Sequence, residues 1–586
     1  MSQIFLIPKS FSESLMMSNR IKVLLLLNLL FIFFYPTLTK AQMPSWDWAQ
    51  GAGSIGNISL KKSSTTDANG NLYIAGSFAT PSITFGAITL INTDTSGSKS
   101  DFFVVKYDAD GNVIWARSEG GAKSDWAMGI SVDLNGNVYV TGSYSSETIT
   151  IGAVTLTNSD TSSNSQQDMF LIKYDNFGNV LWVKTSSNNN FWDLGFSVST
   201  DASGNVFVTG VFQFGIVLDT VSLPSYYGWH VFTAKYNSSG SILWARTGIP
   251  NFGDADLGTS IAVDNSGNAY VTGYFNASNL HFGAFTLVKA DSTSFGQDIF
   301  VVKYDASGNV LWAKSAGGIG NSGYQSSTSI ATDNDNNCYV TGYFQAATIQ
   351  FGNITLINDD NTGYGNDMFI AKYDASGNVL WAKRVGGAGS DDGANCVTTD
   401  AAGNVYVGGY YNSTSISFDN NILTNANNTA GSNYDSFLAK YNAFGNSQWV
   451  IGIGDLGNES VKTISLSPSN DIYTTGFFSS PSIIIGADTI INSGGNGDMF
   501  IGKLNSSSVG LPKANSSDEI IIFPNPSNGI FAFKDGSNIK QVDVYNIYGE
   551  KVLQLGNTKQ IDLRNFAKGI YLVSVNEAYA FKLVKE

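Results

Sequence analysis

Asp298-Ile-Phe-Val-Val-Lys-Tyr-Asp-Ala-Ser-Gly-Asn-Val-Leu-Trp312 decides the fold. Apolar and aromatic residues flank a Gly-Asn turn, where a positive φ is cheap and the Asp305 carboxylate can bond to the backbone ahead of it, so the stretch reads as a β-hairpin. Its closing Trp recurs: Trp48, Trp115, Trp182, Trp244, Trp312, Trp381 and Trp449 stand 67, 67, 62, 68, 69 and 68 residues apart. A second hairpin follows each, such as Ser131-Val-Asp-Leu-Asn-Gly-Asn-Val-Tyr-Val-Thr-Gly142. Its turn lies at Asp67, Asp133, Asp201, Asp264, Asp333 and Asp400, and in decayed form at Ser467-Pro-Ser-Asn-Asp471. We letter the strands a and b in this hairpin, c and d in the Trp hairpin. On strand c, Phe300, Val302 and Tyr304 share one face while Ile299 and Val301 share the other, so the sheet is covered on both sides. Four antiparallel strands repeated seven times predict an all-β fold, a seven-bladed β-propeller over residues 42–504.

The count carries its own check. Strand c at Asp498-Met-Phe-Ile-Gly-Lys-Leu504 has no Trp strand after it, and Trp46-Asp-Trp-Ala49 is a Trp strand with no strand c before it. The N-terminal strand is expected to complete the last blade and remove the free edge that a linear array would leave. Polar capping repeats, which a solenoid needs, are not visible.

Composition agrees with short strands and tight turns. Of 586 residues only 13% are charged, with 62 glycines and 13% aromatics. The net charge of −15 excludes nucleic acid and anionic membrane as expected partners. Cys338 and Cys396 rule out a disulfide framework. They lie in corresponding strand segments of successive repeats, so buried free thiols are expected. Arg20 and Lys22 precede the apolar run Val23 to Phe34, and Thr39-Lys40-Ala41 ends in small residues at −3 and −1. Residues 1–41 read as a secretory signal cleaved between Ala41 and Gln42, with Met16 or Met17 as an alternative start. The run is too short to span a bilayer, and an integral membrane protein is not expected.

Within the repeats, Gly-Gly-x-Gly-x-Asp followed by Asp-x-x-Gly-Asn-Val-Tyr-Val-x-Gly, seen from Gly386 to Gly409, resembles the seven-bladed β-propeller (SBBP) repeats of secreted bacterial proteins. The resemblance implies a fold and little about activity. After the Ser/Asn-rich linker 505–519, residues 520–586 alternate apolar and polar with fresh turns and predict a small Ig-like β-sandwich. Four blocks in order resemble the type A C-terminal sorting domain of the type IX secretion system. Its Pro-Asn-Pro turn falls on Pro524, Asn525 and Pro526, with Gly529 after it, and its central Gly on Gly549. Its Gly-Ile-Tyr block falls on Gly569, Ile570 and Tyr571, and its terminal basic block on Lys582 and Lys585. The resemblance implies Sec export, then passage through the type IX machinery, with a sortase-like peptidase removing the domain and the protein released or held at the cell surface.

Chemistry has little material. His230 and His281 are the only histidines, against a His-based metal centre or a Ser-His-Asp triad in each blade. Asp108-Ala-Asp-Gly-Asn112 could be read as a calcium loop, but most copies carry one carboxylate and none has a bidentate Glu downstream, so no cofactor is expected. The Trp rings are read as cement between blades. The third repeat is irregular: it lacks the Phe-Gly-Ala-x-Thr-Leu segment found at Phe85 to Leu90 and carries Tyr226, Tyr227, Trp229 and His230, which could contact a ligand. Hairpins a–b and c–d should form one monotonous rim. The variable d–a and b–c connections form the other, where the Phe85-Gly-Ala-Ile-Thr-Leu90 segment is expected to add a small hairpin and where specificity would reside. The leading expectation is a non-enzymatic binding or adhesion protein for a glycan or surface protein. A polysaccharide-active hydrolase or lyase on the variable rim is the alternative, and a structural spacer a third reading.

Overall fold

The computed structural model describes residues 43–52, 58–60, 64–159, 166–187, 191–224, 227–250, 255–291, 296–319, 323–360, 365–387, 391–427, 433–494, 497–505, 522–534, 539–546, 551–576 and 579–586. Ala41, Gln42, Tyr226 and Gly549 lie outside them. The elements among these residues are β-strands, and the fold is all-β and propeller-like.

Each repeat builds an antiparallel sheet in the order a-b-c-d, as in Gln325–Thr332, Cys338–Phe344, Asp367–Tyr373 and Val379–Val385. The hairpin turns explain themselves. Asp333 Oδ1 accepts the backbone N–H groups of Asp335 and Asn337 at 3.0 and 2.9 Å, and its Oδ2 accepts the Asn337 amide at 2.8 Å and the Tyr339 hydroxyl at 2.9 Å. Between c and d a bulge recurs at the Lys-Tyr step, at Lys106/Tyr107, Lys235/Tyr236 and Lys372/Tyr373 alike. Such bulges increase local twist, and here they bring each Trp opposite a Lys.

One clamp joins successive sheets. The Trp312 indole donates to the Ala375 carbonyl, one repeat onward, at 3.1 Å, and its ring covers the glycine of that turn: a Cβ on Gly377, whose φ is +82°, would lie 2.8 Å from it. Lys303 Nζ donates to the same carbonyl at 3.2 Å, lies 4.5 Å from the Tyr270 ring centre, and stands 3.5 Å from the Asp264 carboxylate. The indole bond repeats at Trp115, Trp182, Trp244 and Trp381, so these rings lie between sheets as read from the sequence.

The first and last repeats meet by the same devices. Strand Ser45–Ala52 pairs antiparallel with Asp498–Asn505, Trp48 opposite Lys503 as Trp115 is opposite Lys106. Trp48 Nε1 and Lys503 Nζ donate to Ala109 O at 3.3 and 3.1 Å, and the Tyr473 hydroxyl donates to Gly70 O at 3.0 Å. Between the strands a, Thr66 Oγ1 donates to Leu466 O at 2.5 Å.

Three expectations are corrected. The Phe-Gly-Ala-x-Thr-Leu hairpin forms, as at Ser82–Phe85 and Ile88–Ile91, but it does not build the variable rim. Phe85 packs on Phe103 with ring centres 4.9 Å apart, and Gly86 faces Val113, so the hairpin runs back along strand d and covers its edge. The third repeat makes this hairpin too, at Ile216–Leu218 and Val221–Leu223, with Asp219 at φ +55° in the turn in place of the usual glycine. Cys338 and Cys396 are buried and free, but they do not correspond: Cys338 opens a strand b and Cys396 stands within the strand a Asp392–Thr399.

The C-terminal region forms two antiparallel sheets. One orders Ile522–Phe523, Ile530–Phe533 and Gln560–Asp562; the other orders Lys551–Leu555, Val542–Tyr545, Gly569–Val575 and Tyr579–Lys585. Phe531, Val544, Ile561, Val573 and Leu583 share one buried cluster across both.

Candidate functional site

The rim built by the d–a and b–c connections is held by buried carboxylates. At the start of a strand a, Asp125 Oδ2 accepts Gly121 N–H and the Ser146 hydroxyl, both at 2.8 Å, while Oδ1 accepts Ser145 and Ser146 N–H. Asp392 repeats the arrangement with Gly387, Asn412 and Ser413. At the start of strand c, Asp298 and Asp435 accept Ala290 and Ala426 N–H at 2.7 Å. Burial pushes Asp125 up to about 7, and Asp298, Asp392 and Asp435 up to about 6, against the pull of these hydrogen bonds. The carboxylates therefore secure both connections of the rim, one repeat after another.

His230 occupies this slot in the third repeat. It is fully enclosed, its Nδ1 3.0 Å from the equally enclosed Asp256 carboxylate, and so it is not a ligand contact. The correction has a plain cause: the position at the head of strand c is interior in every repeat.

Its aromatic neighbours behave otherwise. Tyr227 is 72% exposed. It stands edge-on to Phe214, ring centres 5.5 Å apart, and Trp192 meets Trp229 edge-on at 5.8 Å. Further round the same rim, Tyr410 packs on Tyr434 at 5.1 Å, and Tyr274 and Tyr343 are half-buried at the ends of their strands b.

Beside them lies a cavity of about 370 Å³. Strand-a residues of six repeats converge on it: Met128, Phe196, Thr259, Thr328, Asn395 and Lys462. Each stands five residues before its repeat's turn residue, at Asp133, Asp201, Asp264, Asp333, Asp400 and Ser467. Leu257, Tyr274 and Tyr343 line it as well, and Leu257 is opposite Tyr274 next to the d–a connection, so the cavity opens toward the aromatic rim. No local motif in the sequence singles out these residues. Their signal was a position that changes from repeat to repeat while the turn beside it stays constant.

The C-terminal motif residues divide. Pro524, Asn525, Pro526, Gly569, Ile570 and Lys582 are exposed. Asn525 ties the turn to the last strand, its amide donating to Lys582 O at 2.6 Å and its Oδ1 accepting Val584 N–H at 2.8 Å. Gly529 at φ +109° is buried, where a Cβ would lie 3.0 Å from Arg564 N. Tyr571 is buried with its hydroxyl on Ala567 O at 2.6 Å. Lys585 is buried too and donates to the carbonyls of Arg564, at 2.9 Å, and Phe566, so it clips the fold.

These features define an all-β repeat protein of propeller type with two further antiparallel sheets in its C-terminal region. Comparison with known families makes both parts specific. Residues 117–143 and 251–281 match the family model of the beta-propeller repeat, and residues 521–586 match that of the secretion system C-terminal sorting domain. The chain therefore carries SBBP repeats and a type IX sorting domain, which commits it to export, to the cell surface or beyond, by the type IX machinery. A WD repeat-containing protein of Acanthamoeba polyphaga mimivirus is 26% identical over 501 residues, 73% of this chain and 36% of its own. The regulatory protein FlaEY of Caulobacter vibrioides is 26% identical over 251 residues, 41% of this chain and 25% of its own. The chain thus spans about a third and a quarter of these relatives. The WD40 domain of Neurospora crassa Pan2 aligns with a TM-score of 0.35 at 10% identity, over 79% of this chain and 98% of that one. Among the described residues no helix is long and apolar enough to cross a membrane.

Proposed function

We propose that the seven sheets form one seven-bladed ring closed by strand Ser45–Ala52, and that this exported protein binds a glycan or surface partner through the rim of d–a and b–c connections. The bonds from Trp48 and Lys503 to Ala109 and from Thr66 to Leu466 support closure. The C-terminal sheets support an Ig-like sandwich over residues 520–586, preceded by the linker 505–519, with the propeller over 42–504 and the signal removed after Ala41. The reading assigns handling to Sec, the type IX machinery and its sortase-like peptidase.

One observation carries the binding assignment. Trp192, Tyr227, Trp229, Tyr274, Tyr343 and Tyr410 gather on one rim without being enclosed. Flat amphipathic rings on a rigid scaffold suit stacking on sugar faces or partner side chains. The carboxylates that head strands a and c are interior and engaged in loop anchoring. The reading is therefore binding without catalysis and without a cofactor. A glycan array with the mature protein tests it, alongside Trp192→Ala/Trp229→Ala. Selective binding that the double variant weakens is expected; binding unchanged by the double variant, or none to any glycan or surface extract, contradicts it.

A further inference from the structure

We propose that the cavity among the strands a is a site for a sugar acid, a pyranose ring bearing a carboxylate. The inference rests on the binding reading above and names the ligand class for that face.

The repeats serve as an internal comparison. The turn Asp, the strand-c Lys and the strand-d Trp recur with few changes, because each belongs to the clamp between sheets. The cavity position has no such duty to one side chain, yet it is not filled by a single small residue repeated round the ring. It divides: Met128 and Phe196 make an apolar side, continued by Leu257, and Thr328, Asn395 and Lys462 make a polar one. A ring with one apolar face and one polar edge matches that division.

The hydrogen-bond inventory narrows the ligand. Thr259 and Thr328 hydroxyls donate to the Ser327 and Ala394 carbonyls at 2.8 and 2.7 Å. The Asn395 amide donates to Val461 O at 2.7 Å and Ser460 Oγ at 2.9 Å. With these protons engaged by backbone carbonyls and Ser460, the hydroxyl and amide oxygens of the lining retain acceptor capacity, which suits a ligand rich in hydroxyl donors. Charge narrows it again. In a chain of net charge −15, the charged group among the described lining residues is the Lys462 ammonium, which favours a carboxylate. At about 370 Å³ the cavity falls at the small end of ligand sites, roughly 300–1,000 Å³, the scale of one or two sugar rings.

Isothermal titration calorimetry on the mature chain tests this with galacturonate, oligogalacturonate and the matching neutral galactose oligomer at fixed ionic strength. Galacturonate compounds should bind at least about tenfold more tightly than the neutral sugar, the scale of one charge-assisted contact. Lys462→Met should erase that difference in a variant that still unfolds cooperatively, and Thr328→Val should weaken both ligands. A second arm separates the inference from its parent reading. Glycan binding lost in Trp192→Ala/Trp229→Ala but untouched in Lys462→Met overturns the cavity assignment and leaves the rim standing. Neutral sugar bound as tightly as acidic, or neither bound, overturns the sugar-acid assignment. Tighter binding by oligogalacturonate than by the monomer marks a polymer as the source, and equal affinity a free sugar acid.

Discussion

At the residue scale, the fold depends on a few side chains used repeatedly, and Trp312 is the clearest. It is buried against the turn of the next repeat, donates its indole N–H to Ala375 and stacks on Tyr373 with ring centres 6.4 Å apart. Trp312→Ala should cost about 3–5 kcal/mol, the usual loss for a buried aromatic, in a denaturant titration; a loss under about 1 kcal/mol would place the ring outside the interface. The carboxylates give a signed pH dependence. Asp125, Asp298, Asp392 and Asp435 are raised by burial, so their contribution is full below the unfolded value near pH 4 and is lost as pH rises through 6 to 7. Burial also raises Asp67 and Asp333, but the turn hydrogen bonds outweigh it and hold both below the ordinary value. Their contribution is present above about pH 4 and is lost on further acidification. Thermal stability should therefore rise from pH 8 to pH 5.5 and fall again below about pH 4, with Asp125→Asn flattening the alkaline limb. A midpoint higher at pH 8 than at 5.5 would reverse the sign and contradict the assignment. His230 marks what the sequence left hidden at this scale: its neighbours Tyr227 and Trp229 suggested exposure, and only the register of strand c shows the slot to be interior.

Elements were legible in proportion to their local chemistry. The Asp-x-x-Gly-Asn hairpins and the Trp strands carry their geometry in adjacent residues, so their strands, pairings and faces could be read directly. The short hairpins could be read as hairpins but not placed, because Phe85 and Ile83 find their partners on Phe103 and strand d, about 20 or more positions away in the chain. The cavity was illegible for a related reason: its residues come from all seven repeats and meet only in three dimensions. The strand with most at stake is Ser45–Ala52, which supplies the fourth strand of the last sheet. Removing residues 42–50 should expose the edge of Asp498–Asn505 and yield aggregation or loss of cooperative unfolding. A truncated protein that melts as the parent does would show the strand to be an ornament.

At the scale of the whole molecule, the repeats build a propeller-like scaffold and the last 66 residues, 521–586, mark it for export from the cell. The linker 505–519 is rich in Ser and Asn, so deleting residues 520–586 should leave a folded propeller in the periplasm, seen by fractionation. Grafting residues 505–586 onto an unrelated signal-bearing protein should carry that cargo to the surface or medium of a host with the type IX system. Cargo that stays periplasmic would confine the domain's role to folding. The account as a whole depends on a ring that closes through chain ends more than 400 residues apart, Trp48 beside Lys503. Native-state amide exchange measures that closure directly. Amides of strand Ser45–Ala52 should exchange only through global unfolding, at the same free energy as those of Asp498–Asn505. Exchange of the N-terminal strand through local opening, while the rest of the sheet stays protected, would contradict the closed ring.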